Sequence, residues 1–98
     1  MAEVDAAFAE LALKWSADTA HLSSPTELME HPAYVRIIGL GPAVLPLLLR
    51  DLQESGRFWF PALHAITGEN PVPDEAAGDV HRMSEAWLDW GRRNGLLE

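Results

Sequence analysis

The sequence predicts an all-α fold of five or six short helices, and three observations support this fold class. Apolar residues recur at intervals of three and four along several segments, which is the spacing of one face of an α-helix. Proline and glycine divide the chain at the points where such helices begin and end. No alternating run of β-branched residues and no hairpin turn pair occurs, so the pattern favours no strand.

Length and composition predict one domain, residues 1–98, with a core of its own. Apolar residues make up 48 % of the chain and charged residues 22 %, which is typical of folded rather than disordered proteins. The absence of cysteine excludes disulfides, thiolate catalysis and zinc bound by cysteine. The first residues lack a signal-peptide pattern, and no apolar run nears the roughly 20 residues of a membrane span. We therefore expect a soluble, cytoplasmic protein.

The chain is acidic, with fifteen acidic residues against seven basic ones and a net charge of -8. Such a charge repels the phosphates of nucleic acids, so binding of DNA or RNA is disfavoured. It attracts a basic protein partner and accelerates the encounter with it. Solubility alone is the simpler explanation of the same charge, and the sequence leaves both open.

An N-terminal helix is predicted over residues 3–22, with acidic residues in its first turn, where the helix dipole favours them. Its apolar stripe consists of Val4, Phe8, Leu11, Trp15 and Leu22. A stripe of this kind packs against the rest of the chain or against a second copy across a two-fold axis. A homodimer through Val4, Phe8, Leu11 and Trp15 is therefore an alternative.

Helices are also predicted within residues 26–68. Either Ser24 or Thr26 can cap the first of them, and it ends at His31 because the residue before a proline avoids the α region. Pro32 begins the next helix, which extends to Leu40.

A central helix is predicted to follow Pro42, since proline suits the first turn of a helix. Pro46 removes a further amide, so a kink or a loose first turn is expected there. Residues 45–52 are rich in leucine nearly all round, which indicates the most enclosed element of the fold. Ser55 and Gly56 mark the turn that ends it.

The next predicted helix, Phe58–Thr67, begins with three aromatic residues and is stopped by Gly68. Phe58, Trp59 and Phe60 point about 100° apart around a helix, so they cannot all face one core. At least one ring is expected near the surface, and the sequence leaves open which one.

A loop rich in proline and acid, and without a base, is predicted over residues 69–78. A C-terminal helix follows over 79–94, with Asp79 as its cap and Gly95 placed to end it. One seam of that helix carries apolar residues at helical spacing, namely Val80, Met83, Trp87 and Trp90.

The central stretch resembles a HEAT-type repeat, in the form found in the phycobilin lyase group. The resemblance covers residues 32–68 and rests on two segments, Gly39-Leu40-Gly41-Pro42-Ala43-Val44-Leu45-Pro46-Leu47-Leu48 and Trp59-x-x-x-Leu63-x-Ala65-Ile66. It implies a stack of helical hairpins in which the first and last helices act as caps, since the chain has room for only about one and a half repeats. The whole chain is also similar to a group of short bacterial proteins without an assigned activity, which supplies no catalytic residue.

No set of residues predicts catalysis, a metal or a cofactor. No two of the four histidines have the spacing of three or four that a helical metal pair needs, although Glu27 with His31 has it, and one such pair is a weak signal without a third ligand. No serine stands in a Gly-x-Ser-x-Gly motif, and Gly39-x-Gly41 lacks the remainder of a phosphate loop. The paired acids lie on segments that are predicted to be exposed.

The sequence therefore favours a non-enzymatic protein-interaction module that binds a basic protein, as an antitoxin, immunity protein or inhibitor does. The predicted contact residues are acidic and aromatic, with one arginine: Asp51, Glu54, Arg57, Phe58, Phe60, Glu69, Asp74 and Glu75. A homodimeric scaffold or a subunit of a larger complex is the alternative. A small-molecule site or an enzyme is less favoured, and would need a cleft on which Tyr34, Arg36, His64 and Arg82 converge.

Overall fold

The computed structural model describes residues 2–21 and 24–97. Six α-helices follow one another: α1 (Ala2–Thr19), α2 (Pro25–Glu30), α3 (Pro32–Gly39), α4 (Leu45–Ser55), α5 (Phe60–Thr67) and α6 (Val80–Arg93). Short 3₁₀ turns lie at Gly41–Val44 and Asp74–Ala76. No strand occurs in the described ranges, and the predicted all-α class is confirmed.

The helices enclose one hydrophobic core. α1 packs on α3, α4 packs on α6, and α3 also contacts α5. The Cα radius of gyration of 12.8 Å is close to the roughly 13 Å of a compact chain of this length. Leu48 and Leu49 of α4 are fully buried, as the leucine pattern predicts for a central element.

The middle of the core is aromatic. The indole of Trp59 lies 4.7 Å from the ring of Trp15, 5.5 Å from Tyr34 and 5.6 Å from Phe8, measured between ring centroids. Because these rings come from α1, α3 and the segment before α5, they join distant parts of the chain. The indole N–H of Trp15 donates to the carbonyl of Leu28 at 2.8 Å, which ties α2 to the same group.

This packing buries much of the apolar stripe of α1, which could otherwise have paired with a second copy of the chain. Phe8 and Trp15 are 8 % and 3 % exposed, whereas Val4 and Leu11 are half-buried. The two rings lie inside the chain's own core, so they are not available to a homodimer in this conformation.

The prolines set the start of α4 as expected. Pro42 lies in the 3₁₀ turn, and Pro46 occupies the first turn of α4, where its missing N–H costs no intrahelical bond. The first turn after Pro42 is a 3₁₀ turn rather than an α-helix. A separate bend of 108° lies before that turn, between α3 and the segment Gly41–Ser55.

Two predicted helix ends are wrong by two or three residues. α1 ends at Thr19, whose hydroxyl donates to the carbonyl of Trp15 at 2.6 Å, and not at Leu22, which lies outside the described residues. α5 begins at Phe60 and not at Phe58, because Pro61 is accommodated only in a first turn.

The central helix α4 begins at Leu45, three residues after Pro42, because Gly41–Val44 forms a 3₁₀ turn. At the remaining ends the differences are single residues. α2 begins at Pro25, Ser24 precedes it without a side-chain cap bond, and the C-terminal helix runs to Arg93 with Asp79 as its cap.

In the part of the chain that the structure describes, no single helix has the length and apolar character to cross a membrane. Only α3 and the segment Gly41–Ser55, taken together across their 108° bend, reach that length and composition.

Candidate functional site

The predicted contact residues fall into two groups, and the first lies where α4 passes into α5. Asp51 accepts hydrogen bonds from the indole N–H of Trp59 at 2.6 Å, from the Ser55 hydroxyl at 3.0 Å and from Arg57 at 3.4 Å. Its side chain is only 19 % exposed. A buried indole needs an acceptor, and Asp51 provides it. We define the junction as these four residues together with Tyr34, Phe58, Phe60 and Ala62.

Tyr34 completes the junction from α3. Trp59 stands at the N-cap of α5 but makes no side-chain cap bond. The Tyr34 hydroxyl accepts the amide of Ala62 at 3.2 Å, so it satisfies one of the amides that a helix start leaves without an intrahelical partner. It donates in turn to the carbonyl of Phe58 at 2.9 Å. Burial raises the pKa of this hydroxyl well above its ordinary value, so it stays a donor.

The three consecutive aromatic residues are unequally accessible. Trp59 is fully buried and Phe60 is 7 % exposed, whereas Phe58 is half-buried. Phe58 and Phe60 meet edge to face at 6.0 Å. Phe60 belongs to the core cluster, so its ring offers a partner little surface in this conformation. Phe58 is the ring of the three that reaches the surface.

The second group lies on residues 69–79, which we call the acidic loop. Its carboxylates belong to Glu69, Asp74, Glu75 and Asp79, all of them exposed, and the loop contains no lysine or arginine. Ala76 is 1 % exposed, and Val72 packs against the core, so apolar residues anchor the loop from beneath.

Hydrogen bonds also hold the backbone of the acidic loop. Asp79 caps α6 by accepting the amide of Arg82 at 3.2 Å, and the Arg82 guanidinium donates to the carbonyl of Glu75 at 3.4 Å. The amide of Glu69 donates to the hydroxyl of Thr67 at 3.0 Å. Within residues 2–21 and 24–97, the side chains of Glu69, Asp74 and Glu75 take part in no ion pair or hydrogen bond. The loop thus has a fixed backbone and carboxylates that face solvent.

The structure does not join the two groups into one contact network. Glu54 is exposed on α4 and lines a shallow hollow with Asp51 and Phe8. No described ion pair or hydrogen bond links these residues to Glu69, Asp74 or Glu75. Of the predicted contact residues, Glu54 and the three loop acids are therefore fully accessible, whereas Asp51, Arg57 and Phe60 serve the junction.

The histidine that precedes α3 caps this helix. The Nδ1 atom of His31 accepts the amide of Ala33 at 3.0 Å, which makes His31 the N-cap of α3. Nε2 must then carry the proton, and it donates to Asp18 at 3.0 Å. Hydrogen bonds from Lys14 and then His31 hold the pKa of Asp18 below its usual value. Glu27 takes no part, and the described residues contain no group of three potential metal ligands.

The four residues that a small-molecule site would need do not converge. Tyr34 is engaged at the junction, Arg36 lies beside Lys14 on a shallow hollow, and Arg82 braces the acidic loop. His64 is exposed, and its Nδ1 atom bonds the carbonyl of Glu69 at 2.9 Å. All buried polar side-chain atoms in the described ranges have hydrogen-bond partners.

An open groove of about 510 Å³ lies between α4 and α6. We call it the α4–α6 groove. Its lining consists of Leu52, Gln53, Gly56, Val80, His81, Ser84, Glu85 and Leu88.

Comparison with known proteins identifies no relative of this chain. No family model matches it, no curated protein matches its sequence, and no solved structure matches its fold. The resemblance of residues 32–68 to a HEAT-type repeat therefore stays a prediction.

Proposed function

We propose that this chain is a non-enzymatic interaction module that binds a basic protein, as antitoxins, immunity proteins and inhibitors do. The observation that carries the proposal is the acidic loop, in which Glu69, Asp74 and Glu75 face solvent from a backbone that is held in place. We also propose that α3, α4 and α5 form a HEAT-like unit, and that the protein acts in the cytoplasm, where a fold without cysteine loses nothing.

The distribution of charge supports this proposal. Several bases are already paired within the chain, Lys14 with Asp18, Arg57 with Asp51 and Arg93 with Asp89. The excess of acids therefore appears as carboxylates that form no described ion pair, most densely along the acidic loop, where the one neighbouring guanidinium, that of Arg82, bonds a backbone carbonyl. A surface of one sign attracts an oppositely charged partner and speeds association, and salt weakens that attraction.

The fixed backbone of the acidic loop favours binding as well. A flexible segment loses conformational freedom on binding, and that loss reduces affinity. Here the buried Ala76, the cap at Asp79 and the Arg82 bond to Glu75 have already restricted the backbone. Binding then has to order only the carboxylate side chains.

The test is affinity capture by the tagged full-length chain, followed by titration of the captured protein. The variant E69Q/D74N/E75Q changes the net charge from -8 to -5, since three carboxylates are neutralised. We expect its affinity for the captured basic protein to fall by about tenfold or more at low salt, and the difference to shrink as salt is added.

The matched control is E10Q/E27Q/E30Q, which makes the same change of net charge at exposed acids of α1 and α2. Its affinity should stay within about twofold of the parent, because those acids lie outside the acidic loop. Capture of nucleic acid alone, or of no protein, contradicts the proposal. An equal loss in both variants also contradicts it, because net charge rather than the loop would then govern binding.

A further inference from the structure

We propose that the α4–α6 groove receives the apolar face of an amphipathic, basic helix of the partner protein. This inference rests on the proposed function and adds to it the form of the bound segment. The groove ends at Val80, directly after the last residue of the acidic loop, Asp79, so the two surfaces adjoin.

The groove lies at one end of the contact between α4 and α6. At Gly91 the two helices are so close that a Cβ atom there would lie 2.7 Å from Leu49. The groove opens toward the end of α4 and the start of α6, where Leu52 and Val80 line it. The helix pair therefore has a close glycine contact in one part and an open groove in another.

The floor and wall of the groove are aliphatic. Leu52 is 3 % exposed, Leu88 is half-buried, and Val80 is 58 % exposed. An apolar side chain that entered the groove would cover the exposed face of Val80 and remove it from water. The groove extends from Val80 to Leu88, about 12 Å along the axis of α6. That length matches apolar residues at positions i, i+4 and i+7 of a facing helix.

Charge decides which helix fits. The lining contains neither lysine nor arginine, and its one carboxylate, that of Glu85, pairs with His81 of the same lining. The exposed carboxylate of Asp79, next to Val80 in the chain, adds negative charge at that end of the groove. A second copy of this chain would bring a charge of -8 against the same surface. A helix with lysine or arginine beside its apolar row can place apolar side chains in the groove and pair its cations with the carboxylates of the acidic loop.

The experiment uses two synthetic 18-residue probes of equal charge, an amphipathic leucine–lysine helix and a serine–lysine peptide. We expect the leucine–lysine probe to bind the full chain at least about tenfold more tightly than the serine–lysine probe. Amide chemical-shift changes should centre on residues 52–56 and 80–88. Equal affinity of the two probes, or changes centred on α1, would overturn the groove proposal and leave the acidic-loop function standing.

Paired variants locate the apolar contact. Val80→Ser should weaken binding of the leucine–lysine probe by about tenfold, whereas Val35→Ser, at a valine that is 54 % exposed on α3, should not weaken it. Both sites are exposed, so both variants should fold, and circular dichroism checks this. Equal effects of the two substitutions contradict the proposal. Sedimentation that shows a dimer abolished by Val80→Ser would also contradict it, since a second copy would then occupy the groove.

Discussion

Carboxylate side chains have opposite surroundings in the junction and in the acidic loop. At the junction the carboxylate of Asp51 accepts three hydrogen bonds from its own chain and is 19 % exposed. On the acidic loop the carboxylates of Glu69, Asp74 and Glu75 are exposed and make no bond within the described ranges. Both regions were predicted to contact a partner. The one carboxylate of the junction, Asp51, is engaged within the chain, whereas the carboxylates of the acidic loop, like that of Glu54 on α4, are exposed.

The comparison teaches that acidity and aromatic content alone do not locate a binding surface. Buried indoles and helix starts need hydrogen-bond partners, and in a small core the nearby polar residues supply them. Asp51 and Tyr34 are used in this way. A binding residue is better recognised by the lack of such an internal role, and that is visible only once the helices are packed.

The largest expected effect that tests this contrast is at Trp59. Trp59→Ala removes a fully buried indole that touches three rings, and leaves Asp51 without its closest donor. We expect the free energy of unfolding to fall by about 3–5 kcal/mol, as measured by denaturant titration. A loss below about 1 kcal/mol would contradict the central place of this indole in the core.

A substitution at Gly91 probes the close approach of α4 and α6. Gly91→Ala places a methyl group 2.7 Å from the Cδ1 atom of Leu49, which is fully buried, so either the Leu49 side chain or α6 must shift. We expect a loss of about 1–3 kcal/mol in the free energy of unfolding. Gly39→Ala is the control, because a Cβ there meets nothing within 4 Å. That variant should be neutral or slightly more stable, and equal losses in the two would disprove the close contact.

Removal of one oxygen tests the junction directly. Tyr34→Phe leaves the Ala62 amide and the Phe58 carbonyl without their partner, and we expect a loss of about 1–2 kcal/mol. Burial raises the pKa of Tyr34 in the folded state. The stability that the protonated hydroxyl adds to the fold is therefore complete below its ordinary pKa near 10, and it is lost as pH rises above that value. Unfolding measured at pH 9 and 11 should show this loss in the parent, and less of it in the variant.

The smallest expected effect on stability belongs to the acidic loop. Since its carboxylates make no described internal bond, E69Q/D74N/E75Q should leave the free energy of unfolding within about 0.5 kcal/mol of the parent. Thermal and denaturant unfolding measure this. A loss of about 2 kcal/mol or more would show that the loop acids stabilise the fold, and the contrast with Asp51 would disappear.

Much of the fold could be predicted from local patterns. The helical stripes, the prolines at helix starts and Gly68, which ends α5 with a φ of 70°, all act within a few residues of the chain. The predicted start of α5 at Phe58 is wrong, because Pro61 fits only the first turn of a helix and α5 therefore begins at Phe60. Proline in a first turn is a local signal, so the sequence alone contains the information that places this start.

The site could be predicted only in part, because its decisive contacts join residues far apart in the chain. The hydroxyl of Tyr34 meets Phe58 and Ala62, which follow it by 24 and 28 positions. The spacing of apolar residues along the sequence cannot reveal a contact between such distant positions. The bond from Trp59 to Asp51 is nearer, and the need of a buried indole for an acceptor could have suggested it. The acids of the loop were identified correctly as exposed because prolines surround them and no base accompanies them.

The most direct test of the central claim is hydrogen–deuterium exchange of the full chain with and without the basic protein that it captures. The account predicts slower exchange in the acidic loop and in the first turns of α6 when the partner is present, and little change at Trp59–Leu63, where the buried helix start is already protected. Protection confined to α1 and α2, with the acidic loop unchanged, would contradict it.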